Sequence, residues 1–329
     1  MPDNATLPPS SPLRRDRPSK LMSEHEAVER FVHDGDSVFF GYTSWAGGLE
    51  REVARQRKTN LTSVATVGSI LLPLLGTCPR LITSYALGAQ SPWFLERYRA
   101  GEFAIEDYTN QTIALMFMAG ALGMPFVPTK AMLGSDYLAP DFYPQPGGFL
   151  GEDKLRVIDS PFDGERVVLL PALRPSVSCV HVQWADEEGN AAFWGGHGEV
   201  RWGLWASERV IISAEEIVPT SVLRSDPHRV TIPGFMVDAV VHMPFGALPW
   251  GVPGYYSASG QMQYEFLGGM RTEEGFRQVL DAWVDGCADH AATLRRFEER
   301  FCAGALDRLR ADRTWFPERP IRYGWKAPQ

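Results

Sequence analysis

Residues Ser37 to Glu52 hold the arrangement with the clearest chemical use. Val38–Phe40 is a short apolar run, Gly41 breaks it, small and polar residues follow to Gly47-Gly48, and Leu49–Gln56 is charged and helix-competent. Strand, small-residue loop and helix in that order turn backbone N–H groups outward and set the positive end of a helix beside them. Such a turn suits an anion, a phosphate or a developing oxyanion. The same glycines equally serve a tight connection for steric reasons alone. Gly41, Gly47 and Gly48 are therefore candidate backbone donors, and Tyr42 and Trp45 are candidate walls of a pocket or of an interface between chains.

The remaining candidates are scattered. Asn110 and Gln111 stand where a strand gives way to a helix, as a helix cap or as substrate contacts. His197, between glycines in Gly195-Gly196-His197-Gly198, is a candidate partner for a substrate carboxylate, whereas His181 lies in an apolar run and reads as a core residue. Glu50 and Glu52 follow the glycine turn closely, so favouring the helix dipole or staying solvated suits them better than nucleophilic attack. Lys130, Arg80 and Arg97 can meet phosphates or carboxylates, with plain solvation as the alternative.

Several chemistries lack their motifs. The glycine turn does not match G-x-G-x-x-G, no G-x-x-x-x-G-K-[ST] occurs, and no G-x-S-x-G elbow is present. Dinucleotide enzymes, P-loop NTPases and serine hydrolases are disfavoured. Cys78, Cys179, Cys287 and Cys302 form no C-x-x-C pair, and the seven histidines show no H-E-x-x-H, so neither a metal site nor a disulfide framework is expected. A reducing cytoplasm fits. The net charge of -8 argues against a nucleic-acid or anionic-membrane binder, so an anionic ligand needs a local basic pocket. The longest apolar run, Ile113 to Val127, is shorter than the roughly 18 residues of a membrane span.

These candidates need a scaffold, and the periodicities supply an α/β one. Ser23 to Glu26 matches a capping box, predicting a helix to about Val32. Strands are expected at Val38–Phe40, Leu61–Val67, Leu81–Tyr85, Phe103–Tyr108 and Met124–Val127. Helices are expected over 48–57, from Ser91-Pro92 to about Arg99, and over 112–122 behind a cap at Thr109 or Asn110. This βαβα rhythm implies a mainly parallel sheet with helices on both faces. Further strands are expected at Val157–Ile158, Val167–Leu170, Val177–Trp184, Arg209–Ser213 and Val237–His242. Helices at Glu273–Val284 and from about Asp289 to Arg310 close the chain. Residues 1–20, rich in Pro, Ser and Arg, read as a disordered tail, 21–312 as one domain with a long loop at 134–151, and 313–329 as a C-terminal extension.

Four segments in order resemble a known family. Asp34-Gly35-Asp36-Ser-Val running into the glycine turn is similar to the N-terminal module of family I CoA-transferases. Glu106-Asp-Tyr-Thr-Asn110-Gln111 leading to Ala-Leu-Gly-Met-Pro-Phe-Val-Pro, His181-Val-Gln-Trp-Ala-Asp186-Glu-Glu-Gly189-Asn190-Ala, and Ala206-Ser-Glu-Arg-Val-Ile-Ile-Ser-Ala-Glu215-Glu216-Ile-Val-Pro resemble the α chain of glutaconate CoA-transferase. The resemblance covers roughly residues 23 to 245 and implies the CoA-transferase fold. It also implies acyl exchange in which a glutamate attacks a thioester, forms an acyl anhydride and then a glutamyl-CoA thioester, and passes CoA to a second acid. In that family the nucleophile lies in the other subunit, within a Glu-Asn/Ser-Gly type motif. No such motif occurs here, because Glu188-Gly189-Asn190 has the wrong order. The resemblance thus implies an α subunit with no nucleophile of its own, a β-subunit partner, acyl-CoA and carboxylate substrates, and no cofactor beyond CoA as substrate. The related ring-opening thioester hydrolases carry a glutamate at the turn where Asn110 stands. An amide cannot activate water as an acid can, which lowers the hydrolase alternative. The remaining readings are a decarboxylase-like relative, a purely structural subunit, or a small-molecule binder unrelated to CoA.

Overall fold

The computed structural model describes residues 18–42, 45–138, 149 and 153–311. Its strands are β1 (Ser37–Phe39), β2 (Thr62–Gly68), β3 (Arg80–Ala86), β4 (Ala104–Asp107), β5 (Phe126–Thr129), β6 (Arg156–Asp159), β7 (Arg166–Pro171), β8 (Val177–Ala185), β9 (Ala191–Ala192), β10 (Arg209–Ile217) and β11 (Ala239–His242). The α-helices are α1 (Glu24–Phe31), α2 (Gly47–Arg55), α3 (Leu71–Leu75), α4 (Pro92–Arg99), α5 (Asn110–Ala121), α6 (Val200–Ala206), α7 (Thr220–Ser225), α8 (Gly260–Gly269), α9 (Glu273–Trp283), α10 (His290–Phe301) and α11 (Ala305–Leu309).

The main sheet runs β11-β10-β8-β1-β2-β3-β4, with β9 added to β8, and every pairing along that order is parallel. Parallel strands must be covered on both faces, and two apolar clusters do this. One packs Ala27, Leu49, Val53, Phe94, Phe276 and Trp283 from the flanking helices, and the other packs Ile113, Met116, Phe117, Val200 and Leu204 from α5 and α6. β8 is buried nearly throughout, so its polar residues need internal partners. His181 receives them from Ser213 and Glu215, at 2.9 Å and 2.6 Å.

Local signals hold where they are local. The Ser23 side chain accepts from the Glu26 amide, Ser91 caps α4 with Pro92 in its first turn, and Thr109, not Asn110, caps α5. Three expectations fail. The strand expected at Met124–Val127 forms as β5, but it pairs antiparallel with β7 in a separate three-stranded sheet. The last helix is two, broken at Cys302-Ala303-Gly304, where Cys302 and Gly304 both take positive φ. The N-terminal tail ends sooner than expected: Lys20 donates backbone and side-chain hydrogen bonds to Glu187, Gly234 and Val237. Most of the expected loop at 134–151, and the whole extension at 313–329, lie outside the described residues.

Candidate functional site

In open parallel sheets, ligands bind outside the carboxyl ends of the strands. Strands β1 to β4 stand side by side, and the residues at or just beyond their carboxyl ends are Tyr42, Thr66–Gly68, Ser84–Tyr85 and Asn110. Tyr42 is 51% exposed. Asn110 and Gln111 are exposed in the first turn of α5. Ser84 links the row: its Oγ lies 2.8 Å from the Thr66 carbonyl and also bonds the Asn110 amide group. Ser84 carries one hydroxyl proton. The Thr66 carbonyl and the Asn110 Oδ1 both accept from that hydroxyl, which leaves the Asn110 amide N–H groups free of Ser84. Beneath Asn110, buried Glu106 accepts from the Tyr108 hydroxyl and the Phe149 amide, both at 2.5 Å. Burial, and then the Glu106 charge, push the Tyr108 hydroxyl far above its ordinary pKa.

Glu199 completes this edge, and nothing in the sequence singles it out. It sits between the Gly195–Gly198 loop and α6, is 4% exposed, and its Oε1 has no hydrogen-bond partner among the described residues. Burial raises its carboxyl pKa, and the groups opposing that rise are its own amide and Thr66, the β2 residue already in the row. The His197 loop is thereby brought against the strand ends. The His197 ring packs against Phe193, centroids 4.8 Å apart and tilted by 47°, beside a cavity.

The glycine turn divides in two. Gly41 takes φ +69° at the strand end and leads to exposed Tyr42. Gly47 and Gly48 are both buried, and for Gly48 this corrects the expected part as a donor. A Cβ on Gly47 would lie 2.4 Å from the Leu248 carbonyl, and the Gly48 N–H is spent on the Gly246 carbonyl at 2.7 Å. Their role is close packing against the 243–249 segment. Trp45 is likewise buried, and the cavity it lines with Gly47 and Glu50 is small, about 30 Å³. Its indole N–H donates to Glu50 at 2.8 Å, and Ser69 donates to the other Glu50 oxygen at 2.6 Å. Glu50 and Glu52 are buried, not solvated. Burial raises the Glu50 pKa against those two bonds and Arg51, while Glu52 is held by Arg55, His25 and Gln56.

Other side chains resolve into structure. His181 is a satisfied core residue, as its apolar run suggested. Burial alone would raise the Glu215 carboxyl, but His181 beside it and the Phe245 amide bring it below the ordinary value. Lys130 pairs with Glu165, Arg97 with Glu102 and the Leu74 carbonyl, and Arg80 with Thr62. These three cations serve the chain's own contacts. Among the described residues no cluster of His, Cys, Asp and Glu could hold a metal.

Comparison with known proteins defines the class to which this sheet and strand-end row belong. Residues 21–243 match the model of the coenzyme A transferase family. The chain is 30% identical to the first of the two chains (the A chain) of glutaconate CoA-transferase from Acidaminococcus fermentans, covering 84% of this chain and 92% of that one. It is 30% identical to the corresponding chain of 3-oxoadipate CoA-transferase from Pseudomonas knackmussii, covering 85% and 99%. The crystal structure of the Acidaminococcus fermentans glutaconate enzyme superposes with a TM-score of 0.80 at 30% identity over 89% of this chain and 96% of that one. The chain belongs to the coenzyme A transferase family, and its similarity to these two relatives runs through nearly their whole length.

Proposed function

We propose that this chain is the α subunit of a two-component CoA-transferase, in which CoA passes between an acyl-CoA and a carboxylic acid through a glutamyl intermediate carried by a β subunit. One observation carries the reading. The strand-end edge offers hydroxyl and amide groups at Tyr42, Asn110 and Gln111, while the glutamates packed about it, Glu50, Glu106 and Glu199, are 7%, 1% and 4% exposed. A glutamate buried to that degree cannot reach a thioester carbonyl. This supports a nucleophile supplied from outside the chain, with the amide and hydroxyl groups serving the oxyanion that forms at each attack. Asn110 is an amide, which supports exchange between acids over hydrolysis.

CoA enters as a substrate, and no prosthetic group is required. The cysteines are unpaired, three of them buried, which fits a reducing compartment. No helix among the described residues is long and apolar enough to cross a membrane. The purified chain should exchange no CoA between acyl-CoA and free acids until the β subunit is added. In the assembled enzyme Asn110→Ala should lower turnover with assembly intact. Turnover by the chain alone refutes the proposal, and an unaffected Asn110→Ala enzyme reduces this chain to a structural support.

A further inference from the structure

The cavity beside His197 lies between α6 and residues 230–233, with a volume of about 350 Å³. This falls within the range of sites that enclose small organic ligands. Its floor is apolar and fully structured: Phe193, Val200, Leu204 and Ile232 are each 5% exposed or less. Its polar groups are few, and they are cationic or hydrogen-bonding. The Arg201 guanidinium rests over the Trp202 ring at 5.5 Å. The His197 ring stands against Phe193 in a loop shaped by Gly195 and Gly198, whose φ angles are +107° and +48°. Among the described residues no carboxylate lines the cavity. In a chain of net charge -8, exposed Arg201 brings a local positive charge to this apolar slot.

We propose that this cavity is a binding site for a small monocarboxylate with a compact apolar body, its carboxylate held by Arg201 with His197 and its hydrocarbon part laid on the Phe193–Leu204 floor. A guanidinium takes a carboxylate through two parallel hydrogen bonds. The apolar floor distinguishes such an acid from inorganic phosphate, which has no surface to bury there.

The test is calorimetric titration of the assembled enzyme, without CoA, using phenylacetate, the neutral isostere phenylacetamide, and inorganic phosphate. Phenylacetate should bind saturably, one molecule for each copy of this chain, with the amide and phosphate each at least tenfold weaker. Arg201→Gln should weaken phenylacetate binding about tenfold or more. Trp205, 43% exposed at the rim, should report occupancy through its fluorescence, and Trp205→Phe should lose that signal while keeping the heat. Absence of saturable phenylacetate binding, equal binding of phosphate, or an Arg201→Gln affinity equal to the parent's overturns the proposal. Because no turnover is measured, CoA exchange can fail while this site stands, and the reverse.

Discussion

Alanine at position 47 should lower stability by about 3 kcal/mol, the upper part of the range for forced overpacking, and the melting temperature by on the order of 5–10 °C. The added methyl would meet the Leu248 carbonyl at 2.4 Å. That atom is backbone, so no rotamer change can clear it. The segment behind it cannot shift easily. The Phe245 amide is bonded to Glu215, the Arg51 guanidinium donates to the Leu248 carbonyl at 2.6 Å, and the Gly246 carbonyl holds the Gly48 N–H. Arg51 is itself buried, which lowers its pKa to about 10, so displacing its carbonyl partner strands a buried cation. Gly260→Ala is the matched control. That glycine also opens a helix but has nothing within 4 Å of an added Cβ, and alanine there should be neutral or slightly stabilising. Thermal unfolding of the two variants decides it. Equal melting temperatures would return Gly47 to the role of a solvent-facing donor.

The second large effect concerns Glu199. Glu199→Ala should destabilise by about 2–3 kcal/mol, since it empties a buried site and leaves the facing Thr66 groups unpaired. Glu199→Gln should behave oppositely at neutral pH. The folded-state pKa of Glu199 is raised by burial, with Thr66 and its own amide opposing and no charged side chain among the causes. A raised carboxyl favours the folded state below the ordinary glutamate pKa, and that contribution is lost as pH rises through the folded value. The glutamine variant does not ionise. Its stability should equal the parent's near pH 4 and exceed it increasingly as pH rises toward 8. Glu50 is raised for the same first cause, burial, against Ser69, Trp45 and Arg51, so parent and Glu199→Gln should share whatever pH dependence Glu50 contributes. Denaturant midpoints at several pH values test this. A glutamine variant less stable than the parent at pH 8 would mean that Glu199 is a paired carboxylate.

The difference between these two residues explains how much of the site can be read from the chain before its fold. Gly47 and Gly48 announce themselves because glycine pairs always ask for a reason. Their composition does not say whether the reason is a ligand or a neighbouring carbonyl, and here it lies near residue 248. Asn110 and Tyr42 can be placed at strand ends because turns there have local signatures. Glu199 gives no signal: a lone acid between a glycine and a valine looks solvated, and only Thr66, distant in sequence, reveals it as buried. The same asymmetry marks the fold. Caps at Ser23, Ser91 and Thr109 act over three residues and are legible. The pairing partner of β5 depends on where β7 arrives, and a short run beside Pro125 and Pro128 carries no trace of that. Helices α3 and α6, five and seven residues long, are too short to show a period, and α8 begins at a glycine and ends on two.

The account rests on a division of labour between chains, and the site of covalent attachment tests it most directly. The two-chain enzyme should be incubated with acyl-CoA in the absence of acceptor acid, and each polypeptide then weighed intact by mass spectrometry. The mass of CoA less one water should appear on the β subunit as the acyl group leaves as free acid, with this chain unchanged. A CoA adduct on this chain, at Glu50, Glu199 or any other carboxylate, would contradict the account.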